Sequence, residues 1–152
     1  HPECILLVSE TRSDPNQKKK LLTLLSDAGL EDKVVFLGSV PFEDLPELYS
    51  ISELYIEPGL NRSMSLSSKE ANACGTPSVR GEIGTEDVID GETGILVSCS
   101  DSTALAKCVN SLLEDQYLLA AMSEKCRSYV ESNYSWNQVV ANIDKVLEIN
   151  KY

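Results

Sequence analysis

Short apolar runs alternate with segments of helical periodicity along the first two thirds of the chain. The apolar runs fall at residues 4–8, 34–37, 54–56 and 95–97, and Ser78-Val79 makes a minimal fourth strand between the last two. A short continuous apolar run is typical of a parallel strand that is covered on both faces. Alternation of such strands with helices predicts an α/β fold, in which a Rossmann-like parallel sheet carries helices on both faces.

The first helix carries clear start and stop signals. Asp14 and Pro15 favour a helix start, and Gly29 favours its end. Between them, apolar residues recur at the spacing of one buried helical stripe: Leu21, Leu24, Leu25 and Ala28.

The same reading predicts a second helix over residues 42–51, with Tyr49 facing inward, and a third over residues 67–74. After Val97 the periodicity is helical only. Three amphipathic C-terminal helices are therefore expected, the last beginning near Trp136.

Composition places the chain among ordinary folded domains. It has 152 residues, of which 42% are hydrophobic, and we expect residues 1–152 to form a single domain. A net charge of −11 disfavours binding to nucleic acid or to an anionic membrane surface, and no run is long enough for a transmembrane helix. The cysteines are odd in number and lack CxxC spacing, which predicts free thiols and a cytoplasmic location: Cys4, Cys74, Cys99, Cys108 and Cys126.

The functional information is concentrated between Glu57 and Val97. An apolar strand is followed by a loop of small residues and then by a helix that opens on serines. Such a junction directs backbone N–H groups and the positive end of a helix towards the ligand-binding edge of a parallel sheet. An anion site is therefore predicted here. Glu57 falls on the same edge, where an exposed surface carboxylate is the plainer interpretation.

Two segments of this stretch carry a resemblance to a known family. Residues 70–77 read Glu-Ala-Asn-Ala-Cys-Gly-Thr-Pro, and residues 86–97 read Glu-Asp-Val-Ile-Asp-Gly-Glu-Thr-Gly-Ile-Leu-Val. Both are similar to the donor-binding, C-terminal half of retaining GT-B glycosyltransferases of family 4. The resemblance implies transfer of a sugar from a nucleotide-diphosphate donor, with retention and without a bound metal or other cofactor.

The resemblance also implies what the chain lacks. The family pattern begins one strand–helix unit earlier, and that unit holds a basic pair that contacts the donor diphosphate. The chain is thus expected to lack this first β-α unit and the N-terminal acceptor-binding domain, and to be inactive alone.

By resemblance, the nucleotide-sugar would contact one helix and the loop before it. Glu70 would accept hydrogen bonds from the ribose, and Glu86 would lie near the nucleotide. The diphosphate and the donor sugar would contact the loop and the helix start, at Ser63, Met64, Ser65, Leu66 and Ser67. Arg62 stands where the family has a first glutamate, and a guanidinium cannot accept a hydrogen bond. It could pair with phosphate or with an acidic donor sugar.

Each of these roles has a plainer alternative. Glu70 could close a capping box with Ser67, and the serines could form a solvated turn. Arg62 could be an exposed loop residue, and Glu86 could be a helix-start carboxylate. No residue is identified as catalytic.

Other functions are weighed against the transferase. A catalytically silent homologue, acting as a partner or regulatory subunit, is favoured by Arg62 and by serines where the family has glycines. A nucleotide-sugar epimerase on the same fold is the second rival. His1 is the only histidine, so a Ser-His-Asp triad and a His-based zinc site are not indicated.

Overall fold

The computed structural model describes residues 3–9, 14–59, 65–82, 87–98 and 100–149. Strands β1–β5 are Leu6–Ser9, Val34–Gly38, Tyr55–Glu57, Ser78–Gly81 and Gly94–Val97. Helices α1–α6 are Pro15–Ala28, Leu45–Ser50, Leu66–Ala73, Ser102–Glu114, Gln116–Tyr134 and Trp136–Ile149. Short 3-10 turns occupy Glu31–Lys33 and Phe42–Asp44. The chain divides into two compact units, His1–Leu45 and Pro46–Tyr152.

The first unit contains β1, α1 and β2. The two strands pair in parallel, with Leu6 opposite Val34. Helix α1 begins after Asp14, whose carboxylate accepts the N–H of Asn16 at 2.9 Å, and it ends at Gly29 in the left-handed conformation with φ 63°. The predicted start and stop signals are therefore confirmed, because each supplies the capping geometry that a helix end requires.

The predicted burial of the α1 stripe is wrong. No residue of α1 is buried, and Leu24 is 66% exposed. Helical periodicity determines which side of a helix is apolar, but burial also requires a second surface against that side.

The second unit is built on a parallel sheet of order β3-β4-β5. On one face, the Ser78 hydroxyl of β4 contacts the Ser68 hydroxyl of α3 at 3.0 Å. The next residue of β4, Val79, packs in a buried cluster with Leu112 of α4 and Met122 of α5. Since successive strand residues point to opposite faces, helices cover both faces of this sheet. The predicted Rossmann-like α/β class is confirmed.

The last helix, α6, carries an uncovered apolar surface. Its exposed large side chains recur at helical spacing: Trp136, Val140, Ile143, Val146 and Leu147. Trp136 alone is 83% exposed. None of the described helices combines the length and the apolarity that a membrane crossing requires.

The described cysteines confirm the expectation of free thiols. Cys4, Cys74, Cys108 and Cys126 are all unpaired. Burial raises the pKa of the Cys126 thiol to about 12, so this group stays protonated. It therefore behaves as a packed apolar side chain.

Gly94 begins β5 where that strand passes very close to β4. A Cβ atom at this position would overlap the carbonyl oxygen of Ser78. We expect Gly94→Ala to lower the free energy of unfolding by about 2 kcal/mol, because the strands must separate to admit a methyl group. Gly59→Ala is the control, since nothing lies within 4 Å of its Cβ position. Equal effects of the two substitutions in denaturant unfolding would contradict this explanation.

Candidate functional site

The N-terminus of α3 lies beyond the carboxyl end of β3, after a connection that includes residues 60–64, outside the described part. Ser65 is the N-cap: its backbone is extended, with φ −95° and ψ 121°, and its hydroxyl accepts the N–H of Ser68 at 3.1 Å. Leu66 and Ser67 occupy the first turn, where backbone N–H groups have no partner within the helix. These amides can bind an anion.

This geometry excludes the capping box suggested for Ser67 and Glu70. The helix is capped by Ser65 and begins at Leu66, slightly earlier than the predicted start at Ser67. The partner in such a box is the third helical residue, which is Ser68. Several serines at the helix start make the cap ambiguous in sequence, and the extended backbone at Ser65 decides it.

Glu70 instead accepts a hydrogen bond from Tyr49 of α2. The Tyr49 hydroxyl lies 3.3 Å from Oε2 of Glu70. Tyr49 is itself buried, its carbonyl oxygen accepts the Thr76 hydroxyl at 2.7 Å, and its ring meets Tyr55 edge to face. Burial raises the pKa of Tyr49, so its hydroxyl remains a donor. Glu70 is half-buried, and its carboxylate is held by the hydrogen bond from Tyr49.

A buried polar chain fixes α3 to β4. The Ser68 hydroxyl donates to the Ser78 hydroxyl, which donates to Oδ1 of Asn72 at 3.1 Å. The amide nitrogen of Asn72 in turn reaches the carbonyl oxygen of Asp87 at 3.5 Å. All three side chains are fully buried, where each unmade hydrogen bond would destabilise the fold. The position of the helix relative to the sheet is thus specified by polar contacts.

Arg80 forms a charged cluster at the carboxyl end of β4. Arg80 is 2% exposed and lies opposite Glu57 in the β3–β4 register. Its Nη1 contacts Oε2 of Glu57, and its Nε lies 3.3 Å from Oδ2 of Asp87, which is fully buried. The Tyr55 hydroxyl also donates to Oε2 of Glu57, at 3.0 Å. Buried charges of this kind require such pairing.

The environment of Glu57 keeps it ionised. Burial alone would raise the pKa of its carboxyl, but hydrogen bonds from Ser65 and Tyr55 and the charge of Arg80 outweigh burial, and the pKa is lowered. Burial and the neighbouring Glu57 carboxylate raise the pKa of Tyr55 far above its ordinary value. A carboxylate and a phenol donor therefore persist side by side.

Comparison with known families decides what this architecture belongs to. Residues 5–115 match the family model described as "Glycosyl transferases group 1". The chain belongs to the group 1 glycosyltransferases. Its predicted resemblance to the donor-binding half of GT-B enzymes is confirmed.

The curated relatives that the chain matches are longer glycosyltransferases. It is 34% identical over 128 residues to the D-inositol 3-phosphate glycosyltransferase of Salinispora arenicola, covering 83% of this chain and 28% of the relative. It is 32% identical over 136 residues to the GDP-mannose-dependent alpha-(1-6)-phosphatidylinositol monomannoside mannosyltransferase of Mycolicibacterium smegmatis, covering 84% and 36%. The chain thus spans about a third of the length of these relatives.

Solved structures share the fold. Sucrose-phosphate synthase from Thermosynechococcus elongatus aligns with a TM-score of 0.83 at 28% identity, over 94% of this chain and 37% of that one. Anabaena HepE in complex with UDP aligns with a TM-score of 0.88 at 24% identity, over 97% of this chain and 42% of that one. The C-terminal domain of a glycosyl transferase group 1 family protein from Francisella tularensis aligns with a TM-score of 0.80 at 23% identity, over 90% of this chain and 72% of that one.

The glycosyltransferase site residues predicted from sequence fall into two groups. Ser65, Leu66, Ser67 and Glu70 come together on the first turns of α3. Arg62, Ser63, Met64 and Glu86 lie outside the described residues. The ligand contacts assigned to all of them remain predictions.

Sequence reasoning missed the groups that support this candidate site. Tyr49 was expected only to face inward, and neither Tyr55, Arg80 nor Asp87 was singled out. One signal was available: an arginine directly follows Ser78 and Val79, at the carboxyl end of a strand that is predicted to lie within a sheet covered on both faces. Such a charge requires a buried partner.

We expect Arg80→Met to lower the free energy of unfolding by about 3–5 kcal/mol, because Asp87 would stay buried without its counter-charge. Chemical denaturation measures the change. The matched control is Lys125→Met, which removes an ion pair with Glu92 in which both side chains are more than half exposed. That change is expected to stay below about 1 kcal/mol. Similar losses in both variants would show that Arg80 is not a buried counter-charge.

The lowered pKa of Glu57 predicts a pH-dependent contribution to stability. The contribution is fully present above the unfolded glutamate pKa of about 4.3. It is lost as the pH falls through the lower folded value. We therefore expect the stability difference between the unsubstituted chain and Glu57→Gln to shrink on acidification from about pH 6 to about pH 3. Urea unfolding across this range provides the measurement, and a constant difference would contradict the prediction.

Proposed function

We propose that the chain is the donor-binding half of a retaining glycosyltransferase that transfers a sugar from a nucleotide-diphosphate donor to an acceptor. The observation that carries this proposal is the N-terminus of α3, capped by Ser65 beyond the carboxyl end of β3, with Glu70 one turn along the helix. This is the edge at which α/β sheets bind nucleotides.

The donor diphosphate would lie against the first turn of α3. Its negative charge meets the N–H groups of Leu66 and Ser67 and the positive end of the helix dipole. As the glycosyl bond breaks, negative charge builds up on the diphosphate, and these fixed dipoles stabilise it. We propose that no resident metal takes part, so EDTA would leave transfer unchanged.

Glu70 would bind the ribose of the nucleotide. Its half-buried carboxylate accepts hydroxyl hydrogen bonds, and the Tyr49 hydroxyl fixes its orientation. The names of similar proteins mention GDP-mannose in one case and UDP in another. GDP-mannose is a nucleoside diphosphate joined to a sugar, and UDP is a nucleoside diphosphate alone, so the two share a ribose and two phosphates. We propose that the site binds this shared part, whichever base it carries.

The acceptor would be bound by a second, N-terminal domain, and the donor-binding half is expected to be inactive alone. This division of labour is supported by the fact that the chain aligns with only 28% and 36% of its curated relatives. The free thiols of the four described cysteines fit a reducing, cytoplasmic setting.

A catalytically silent homologue is the second candidate. It is favoured by Arg62, a residue that cannot accept a hydrogen bond from a sugar hydroxyl, at the position of the family's first glutamate. The two candidates differ in whether a nucleoside diphosphate binds at all.

Calorimetric titration of the full-length protein with UDP and GDP tests the proposal. We expect binding of at least one, and a loss of about tenfold or more in Glu70→Gln, because a charged acceptor for the ribose is removed. Repeating the titration with the 2′-deoxy nucleotide refines the test. If Glu70 binds the 2′-hydroxyl, the loss of affinity caused by Glu70→Gln and the loss caused by the missing hydroxyl are non-additive. The exposed Glu92→Gln is the control. No heat with either nucleotide would favour the silent homologue.

A further inference from the structure

We propose that Glu57 is a specificity-determining residue whose carboxylate accepts hydrogen bonds from hydroxyl groups of the donor's sugar. The inference rests on the proposed function, because it requires a diphosphate at the N-terminus of α3. It assigns a role to a residue outside the set predicted from sequence.

The first argument is position. Glu57 is the last residue of β3, on the ligand-binding edge of the sheet. Its carboxylate interacts with the hydroxyl of Ser65, which is the N-cap of α3. A diphosphate bound at this helix end carries the sugar directly on its outer phosphate. The sugar hydroxyls are therefore brought close to Glu57.

The second argument is that the carboxylate is held in place and still accessible. Tyr55 and Arg80 both contact Oε2 of Glu57. The Glu57 side chain nevertheless remains 31% exposed, whereas that of Arg80 is 3% exposed. An ionised carboxylate has about four acceptor positions, more than these two contacts and the Ser65 hydroxyl use. It is thus an oriented acceptor that faces the solvent side of the edge.

The third argument is electrostatic. A carboxylate beside a diphosphate would weaken its binding by like-charge repulsion. The guanidinium of Arg80, buried directly behind Glu57, offsets part of that charge. The pair can therefore tolerate a nearby phosphate and still offer a charge-assisted hydrogen bond to a neutral hydroxyl. Arg80 is a positioning residue here, since it acts through Glu57.

The test compares nucleoside diphosphates with their sugar derivatives. Calorimetry on the full-length protein measures the affinities of UDP, UDP-glucose, GDP and GDP-mannose, in the unsubstituted form and in Glu57→Gln. We expect the variant to bind the nucleotide-sugar about tenfold more weakly, whereas its affinity for the matching diphosphate changes by less than about twofold. A purely structural role would weaken both ligands together. Glu92→Gln, a carboxylate-to-amide change at an exposed ion pair, is the control.

A second variant keeps the test decisive if Glu57→Gln fails to fold. Tyr55→Phe removes one hydrogen bond to Oε2 and no charge. It is expected to weaken nucleotide-sugar binding about threefold and to spare the diphosphate.

Three outcomes would overturn the inference. Equal losses for both ligands, or no loss for the nucleotide-sugar, would remove the assignment of Glu57 while leaving the proposed function standing. Failure of the unsubstituted protein to bind any diphosphate would remove both.

Discussion

The candidate site depends on the ion pairs that the buried guanidinium of Arg80 makes with Glu57 and Asp87. The guanidinium connects the end of β3 with the chain at Asp87 and stands behind the carboxylate of Glu57. A charge in this position is stable only while its partners are present, since its own desolvation is costly. The cluster therefore specifies where the carboxyl ends of β3 and β4 lie relative to each other, and with them the edge where a ligand would bind.

The two faces of the β3-β4-β5 sheet make different kinds of contact with the helices that cover them. Towards α4 and α5, the contacts are apolar and centre on Val79, Leu112 and Met122. Towards α3, they are polar and run through Ser68, Asn72 and Ser78. Apolar packing supplies most of the stabilisation but is non-directional. Hydrogen bonds are directional, so the polar face can hold the helix that carries Glu70 in one orientation.

Much of this architecture was predictable because it is encoded locally. The strands follow from continuous apolar runs, and the ends of α1 follow from the chemistry of Asp14 and Gly29. The family follows from residues 70–77 and 86–97. The cap of α3 was not predictable, because neighbouring serines offer the same chemistry and only the backbone at Ser65 distinguishes them. The stripe of α1 was predicted as apolar, but its exposure depends on surfaces that periodicity does not report.

The sequence by itself determined the α/β class, the order of the elements and the family, and it predicted the helix end that is proposed here as an anion site. Local propensity, periodicity and short motifs act within a few residues, and all four conclusions depend on them. Only the tertiary structure decided that Tyr49 orients Glu70 and that Arg80 lies behind Glu57. These partners are more than 20 residues apart in the chain, and strand register and helix packing bring them together.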